Sequence, residues 1–222
     1  MRKEYDDYAW SDYTPTYAGT HDNWKDGEHY LRDGDFAIAP DRQSITFRVP
    51  ICNNVQQVIH QTLLNRQHIR SVYECGCGAG WNACNVLKVF PDLDVSGSDI
   101  NPEQFVYGRK HFAEHSYTDF PGFHDRLSVV DMSYPYAKTQ VGRTFDFVFC
   151  QAVTMHLSDV RAIQFIKNMM ALTNRYIMLC ENAAWQDYPT LFQQAGVKEQ
   201  FTMACTTGPF AVGMFFFEKK PV

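Results

Sequence analysis

The sequence predicts an α/β fold, a mostly parallel sheet with helices on both faces. Three observations predict it. The first is a short apolar run, Ser71-Val72-Tyr73, followed by Glu74-Cys75-Gly76-Cys77-Gly78-Ala79-Gly80 and then by a helix-like segment over residues 81–90. That order is strand, glycine turn, helix. Without Cβ atoms the backbone can turn sharply and admit a ligand closely. The following helix points free N–H groups and its positive dipole end back at that ligand. The unit is therefore a nucleotide-cofactor crevice at the carboxyl end of a parallel strand. The second observation is that strand-like and helix-like stretches alternate along most of the remaining chain. The third is a finish of two strand-like runs, 199–205 and 213–218, with no helix between them. Such a hairpin makes the last strand antiparallel.

The elements follow in order. Val55, Val58, Ile59, Leu63 and Leu64 recur near helical spacing within residues 53–70, and Pro50 marks the boundary before them. This helix leads into the first strand at residues 71–75. Residues 94–100 read as the second strand, ending in the acid Asp99. Asn101-Pro102-Glu103-Gln104 is a helix start: Asn caps, Pro fits the first helical position, and Gln104 can complete a capping box. That helix runs to about residue 116. Residues 126–132 and 144–151 are the third and fourth strands, with loops over 117–125 and 134–143. Ser158 is positioned to cap a helix over 159–173, whose Ile163, Ile166, Met169 and Met170 face inward as packing. A fifth strand at 176–180, a helix at 186–195 and the two closing strands complete the sheet. The last of these carries Phe215-Phe216-Phe217.

With 222 residues, 45% hydrophobic and 15% aromatic, the chain suits one globular domain with an appendage. The expected division is an aromatic, acidic lid over residues 1–50 and a main domain over 51–222. No run approaches the ~20 apolar residues of a membrane span, and the N-terminus lacks the apolar centre of a secretory signal. No membrane association is expected. Seven scattered cysteines suit a reducing, cytoplasmic setting. Cys75 and Cys77 read as small filler in the glycine loop rather than metal ligands, and no metal is expected. A net charge of −5 and a pI near 5.9 argue against a broad phosphate-binding face, so no nucleic-acid partner is expected. A homodimer is left open.

The glycine turn is spaced G-x-G-x-G, with Glu74 two positions before Gly76. The pattern resembles motif I of the class I S-adenosylmethionine-dependent methyltransferases, of the small-molecule type. Three further segments resemble that family in the same order: residues 94–100, ending at Asp99; residues 126–132, with Asp131; and Thr144-Phe145-Asp146-Phe147-Val148-Phe149-Cys150-Gln151, continuing to His156-Leu157. The likeness covers residues 53–222. It implies a Rossmann-like seven-stranded sheet in the order 3-2-1-4-5-7-6. It implies S-adenosyl-L-methionine as cofactor, held by Glu74, Gly76, Cys77, Gly78, Gly80, Asp99, Ile100, Asp131, Met132 and Gln151. By the resemblance, Glu74 helps to fix the amino group and Asp99 the ribose hydroxyls. Ile100 lies against the adenine, and Asp131 accepts the adenine amino group.

Methyl transfer needs the acceptor on axis, water excluded and, for some acceptors, a proton removed. His156, after the fourth strand, is the first candidate for the base, because an ordinary imidazole titrates near neutrality. His21, on the lid, is the second. Glu181, Asn182 and Trp185, after the fifth strand, and Tyr13, Tyr17 and Trp24 of the lid are the candidate acceptor contacts. Residues 1–50 hold ten acids against six bases, which favours a neutral or cationic acceptor. The leading expectation is methyl transfer to O or N of a small molecule, such as a sugar or natural-product intermediate. The alternatives are a protein or peptide methyltransferase and a non-catalytic cofactor-binding subunit.

Overall fold

A computed structural model of the chain describes residues 31, 33–48, 54–114, 122–182, 184–207 and 212–221. Its centre is a seven-stranded sheet. The strands are β3 (Ser71–Cys75), β4 (Asp94–Asp99), β5 (Leu127–Val129), β6 (Phe145–Gln151), β7 (Thr173–Asn182), β8 (Phe201–Thr207) and β9 (Val212–Lys219). They lie in the order β5-β4-β3-β6-β7-β9-β8. The first five of these in space pair in parallel, and β9 pairs antiparallel with both β7 and β8. Numbered within the sheet, that order is the expected 3-2-1-4-5-7-6 with an antiparallel last strand.

Helices cover both faces, so the central strands are apolar on both sides. Along β6, Phe147 and Phe149 join one core and Phe145, Val148 and Cys150 the other. The first core is closed by α1 (Asn54–Asn65), α2 (Trp81–Val89) and Phe105 of α3 (Pro102–Glu114). The second is closed by Ala137 of α4 (Ala137–Val141), α5 (Asp159–Leu172), α6 (Tyr188–Ala195) and Val197 of α7 (Val197–Gln200). The three consecutive phenylalanines divide by strand alternation: Phe216 faces the first core, Phe215 and Phe217 the second.

Several boundaries differ from expectation. The third strand is short, because a 3-10 turn, Phe123–Arg126, runs up to it, although Val130 N still donates to Asp99 O at 3.0 Å. The expected loop at 134–143 contains α4. The strand β7 begins directly at the end of α5, three residues earlier than the sequence pattern marks. Ser158 occupies the N-cap of α5 in extended conformation, but its side chain makes no capping bond. Asn101 does cap α3, accepting from Glu103 N at 3.0 Å.

Within the expected lid, residues 36–47 form an antiparallel hairpin of β1 (Phe36–Ile38) and β2 (Ile45–Phe47). Leu31 and Ile45 bury against Leu64 of α1 and Val89 of α2. Leu31 N donates to Asn85 Oδ1 at 3.0 Å, and Asp33 pairs with Lys88 at 2.8 Å. Tyr13, Tyr17, His21 and Trp24 lie outside the described residues. No described helix is long and apolar enough to cross a membrane.

Candidate functional site

The site is built on the turn between β3 and α2. Gly76 has φ +70 and Gly78 φ +54, in the left-handed region where a Cβ is strained. The two glycines are needed for different reasons. A Cβ on Gly76 would come within 2.4 Å of Val153 Cγ2, so the loop presses directly on the segment after β6. A Cβ on Gly78 would meet only Gln104 Oε1, at 3.9 Å, so Gly78 faces nearly open space. Cys77 is buried, its N–H donates to Ser98 O at 2.8 Å, and burial raises its thiol well above the ordinary range. It is a tie between loop and β4, not a reactive thiolate. Among the described residues no group of three His, Cys, Asp or Glu could hold a metal ion.

Acids stand at or just beyond the carboxyl ends of three adjacent parallel strands. Glu74, on β3, is buried at 1% exposure. Its Oε1 accepts from Asn82 Nδ2 at 2.7 Å and its Oε2 from Ala83 N at 3.2 Å, in the first turn of α2. Burial pushes its carboxyl up to about 8, against the opposing pull of those bonds. Asp99, at the end of β4, accepts from Gly78 N at 2.8 Å and from Asn101 N at 2.9 Å, and burial raises it too. Ile100 follows it at 36% exposure, on the rim. Asp131 lies two residues past β5. Its Oδ1 accepts from Ser133 N at 2.9 Å and Ser133 Oγ at 2.5 Å, and its Oδ2 from Arg161 Nη2 at 2.8 Å. The Met132 side chain turns into the core behind the site.

Beyond β6 the backbone is strained. Ala152 has φ +54, which costs a non-glycine residue about 1–2 kcal/mol. The turn after it, Thr154–His156, is held from below by Glu181. Oε1 of Glu181 accepts from Val153 N at 3.1 Å, Thr154 N at 3.0 Å and Cys150 Sγ at 3.3 Å, and Oε2 accepts from Met155 N at 3.2 Å. Gln186 Nε2 donates to the carbonyls of Thr154 at 2.6 Å and Leu157 at 2.8 Å. Glu181 is thus 1% exposed and does not line the rim, contrary to expectation. A carboxylate that satisfies three otherwise orphaned N–H groups is drawn inward.

His156 is half-buried, and burial lowers its pKa. Its ring meets Trp185 edge-on, 5.8 Å between centroids at 89°. Trp185 is 45% exposed. Asn182 closes β7 opposite Val212. Gln151, at the end of β6, accepts from Asn82 Nδ2 at 2.8 Å.

The structure therefore brings Glu74, Gly78, Asp99 and Gln151 around one loop, and His156 and Trp185 together beyond it. Sequence reasoning missed Asn82, Arg161 and Gln186. Asn82 stands two residues after Gly80, and a polar residue in the first turn of α2, just before the buried Ala83 and Cys84, is the one signal that could have exposed it.

Residues 72–175 match the family model of a methyltransferase domain. No curated protein matches the chain by sequence. Among solved structures, the magnesium protoporphyrin IX methyltransferase of Synechocystis PCC 6803 with bound SAM is 19% identical, with TM-score 0.56 over 75% of this chain and 80% of that one. An S-adenosylmethionine-dependent methyltransferase from Clostridium acetobutylicum is 10% identical, TM-score 0.57, over 75% and 91%. The ribosomal protein L11 methylase of Lactobacillus delbrueckii subsp. bulgaricus is 14% identical, TM-score 0.53, over 78% and 83%. At these identities the likeness is one of fold.

Proposed function

Residues 72–175 are a class I S-adenosylmethionine-dependent methyltransferase domain, and from that premise we propose that the enzyme methylates O or N of a small molecule. The observation behind the cofactor site is the placement of Glu74, Asp99 and Asp131 at or just past the ends of adjacent parallel strands beside an open-faced glycine loop, and the acceptor class rests on the short connections after those strands.

The cofactor is S-adenosylmethionine, and the residues present fit it. Its ammonium, ribose hydroxyls and adenine amino group are donors, and the chain offers them carboxylates in a row. Glu74 would hold the ammonium, Asp99 the ribose and Asp131 the adenine amino group. Gly78 leaves room for the backbone to approach, since little but Gln104 Oε1 lies near it. When bound, the cofactor supplies the electrophilic methyl and its leaving group.

The remaining work falls to the chain. His156 stands just beyond β6, and burial lowers its pKa, which favours the neutral imidazole, the form that accepts a proton from an acceptor O–H or N–H. Trp185 offers an exposed apolar surface beside it. A small acceptor is supported by the short connections after β3, β4 and β6, which leave no inserted substrate domain among the described residues. The net charge of −5 favours a neutral or cationic acceptor.

The test is calorimetry with S-adenosylhomocysteine, followed by transfer of labelled methyl to a panel of small acceptors and to a protein extract. Label in small molecules supports the proposal. Label confined to protein overturns the acceptor class.

A further inference from the structure

Glu74, Gln151 and Gln56 converge on one side chain, Asn82, in the first turn of α2. Asn82 Nδ2 donates to Glu74 Oε1 at 2.7 Å and to Gln151 Oε1 at 2.8 Å. Its Oδ1 accepts from Gln56 Nε2, on α1. These bonds orient the carboxamide. With its amino group toward them, the carboxamide gives one N–H to each of the Glu74 and Gln151 oxygens and keeps its carbonyl for Gln56 Nε2.

Two acceptor oxygens aimed at one donor nitrogen make a seat with spare capacity. Each oxygen carries two lone pairs, and Asn82 uses one on each. What remains suits a stronger donor, above all a cation, because charge-assisted hydrogen bonds are roughly twice as strong as neutral ones. The seat is shielded: Glu74 is 1% and Gln56 6% exposed. It adjoins the glycine loop, since Glu74 stands two residues before Gly76.

We propose that Asn82 and Gln56 belong to the cofactor site as positioning residues, holding Glu74 and Gln151 so that both oxygens meet the ammonium at the cofactor's amino-acid end. The proposal rests on the methyltransferase assignment of the domain. Gln56 lies outside the glycine motif and outside residues 72–175, so a helix preceding the matched domain takes part in selecting the ligand. The pair acts on the amino-acid end alone. It therefore separates S-adenosylhomocysteine from 5′-methylthioadenosine, which keeps the nucleoside and thioether but lacks the amino acid.

Calorimetry with both ligands tests this on the wild type, Asn82→Ala and Gln56→Met. Asn82→Ala should weaken S-adenosylhomocysteine by about tenfold or more, and methylthioadenosine by less than about twofold. Gln56→Met keeps bulk and removes the donor, and should give the same pattern at about threefold. Equal weakening of both ligands, or unchanged S-adenosylhomocysteine affinity, overturns the proposal. If Asn82→Ala does not fold, the ratio of the two ligands in Gln56→Met decides. A wild type that binds neither ligand overturns the methyltransferase assignment beneath it. A wild type that binds both, at a ratio neither variant changes, overturns only the role of Asn82 and Gln56.

Discussion

Asp99 reaches across from the end of β4 to accept a hydrogen bond from Gly78 N at 2.8 Å, inside the glycine loop of β3. One carboxylate thus fixes the loop while standing at the ribose position of the proposed cofactor site. Asp99→Ala should reduce S-adenosylhomocysteine affinity by about a hundredfold or more, combining a lost ligand contact with a loosened loop. Calorimetry on a variant with a native circular dichroism spectrum checks this. Unchanged affinity would reject the ribose assignment.

Glu74 should make ligand binding depend on pH. Its carboxyl lies at about 8 in the folded chain, above its ordinary 4.5, so the fold binds more protons than the unfolded chain between those values. The part of stability due to Glu74 therefore falls as pH rises from about 4.5 to about 8 and is flat above that. An ammonium seated on Glu74 favours the ionised form, so binding releases protons in this window and tightens as pH rises. Calorimetry at pH 7 in two buffers of different ionisation enthalpy should show that release, and Glu74→Gln should remove it. The same heat in both buffers would mean Glu74 does not meet the ammonium.

Glu181→Gln should destabilise the fold by roughly 1–3 kcal/mol, because an amide nitrogen then replaces one of the two acceptor oxygens and faces at least one backbone donor. Val153, Thr154 and Met155 all donate to it. Denaturant unfolding measures the loss, and a change under about 0.5 kcal/mol would show the turn is held by other means.

Gly76→Ala should cost about 1–3 kcal/mol, from the positive φ and the collision with Val153. Val153→Ala in the same chain should recover the part due to collision and leave the backbone part. A double-mutant cycle with no coupling energy would show that the loop and the segment after β6 are mechanically independent.

His156 should titrate below 6.5, since burial opposes its charged form. A lowered histidine binds fewer protons folded than unfolded, so its contribution to stability rises with pH through the interval between its folded value and 6.5. Trp185→Ala uncovers the ring and should move the midpoint back upward. Proton NMR of the imidazole follows both, and a midpoint at or above 6.5 in the wild type would remove the case for a neutral base.

Much of this molecule is readable from neighbouring residues. The strand at 71–75, the glycine turn, the capped helix after Asn101 and each strand of the closing hairpin declare themselves within about ten residues, the range over which backbone preferences act. The Phe215-Phe216-Phe217 run marks a strand buried on both faces, and it is one. The hairpin at 36–47 escaped notice because its strands are three residues each and its surroundings are rich in aromatic and acidic residues.

Side-chain roles set by distant partners were not readable. Glu181 follows an apolar strand, and its position in the chain alone suggested the rim. Its partners are backbone groups 26 to 28 residues earlier, whose need for acceptors exists only once the turn has formed. Arg161 joins Asp131 across 30 residues, and Asn82 joins Gln151 across 69. Local pattern and connection length suffice for the strands, the helices and the glycine loop, while the order of the sheet and the roles of the acids at its strand ends came from the resemblance of four segments to a known family. Which polar groups are buried together emerges with the folded chain alone, because hydrogen-bond satisfaction is a property of three-dimensional neighbours.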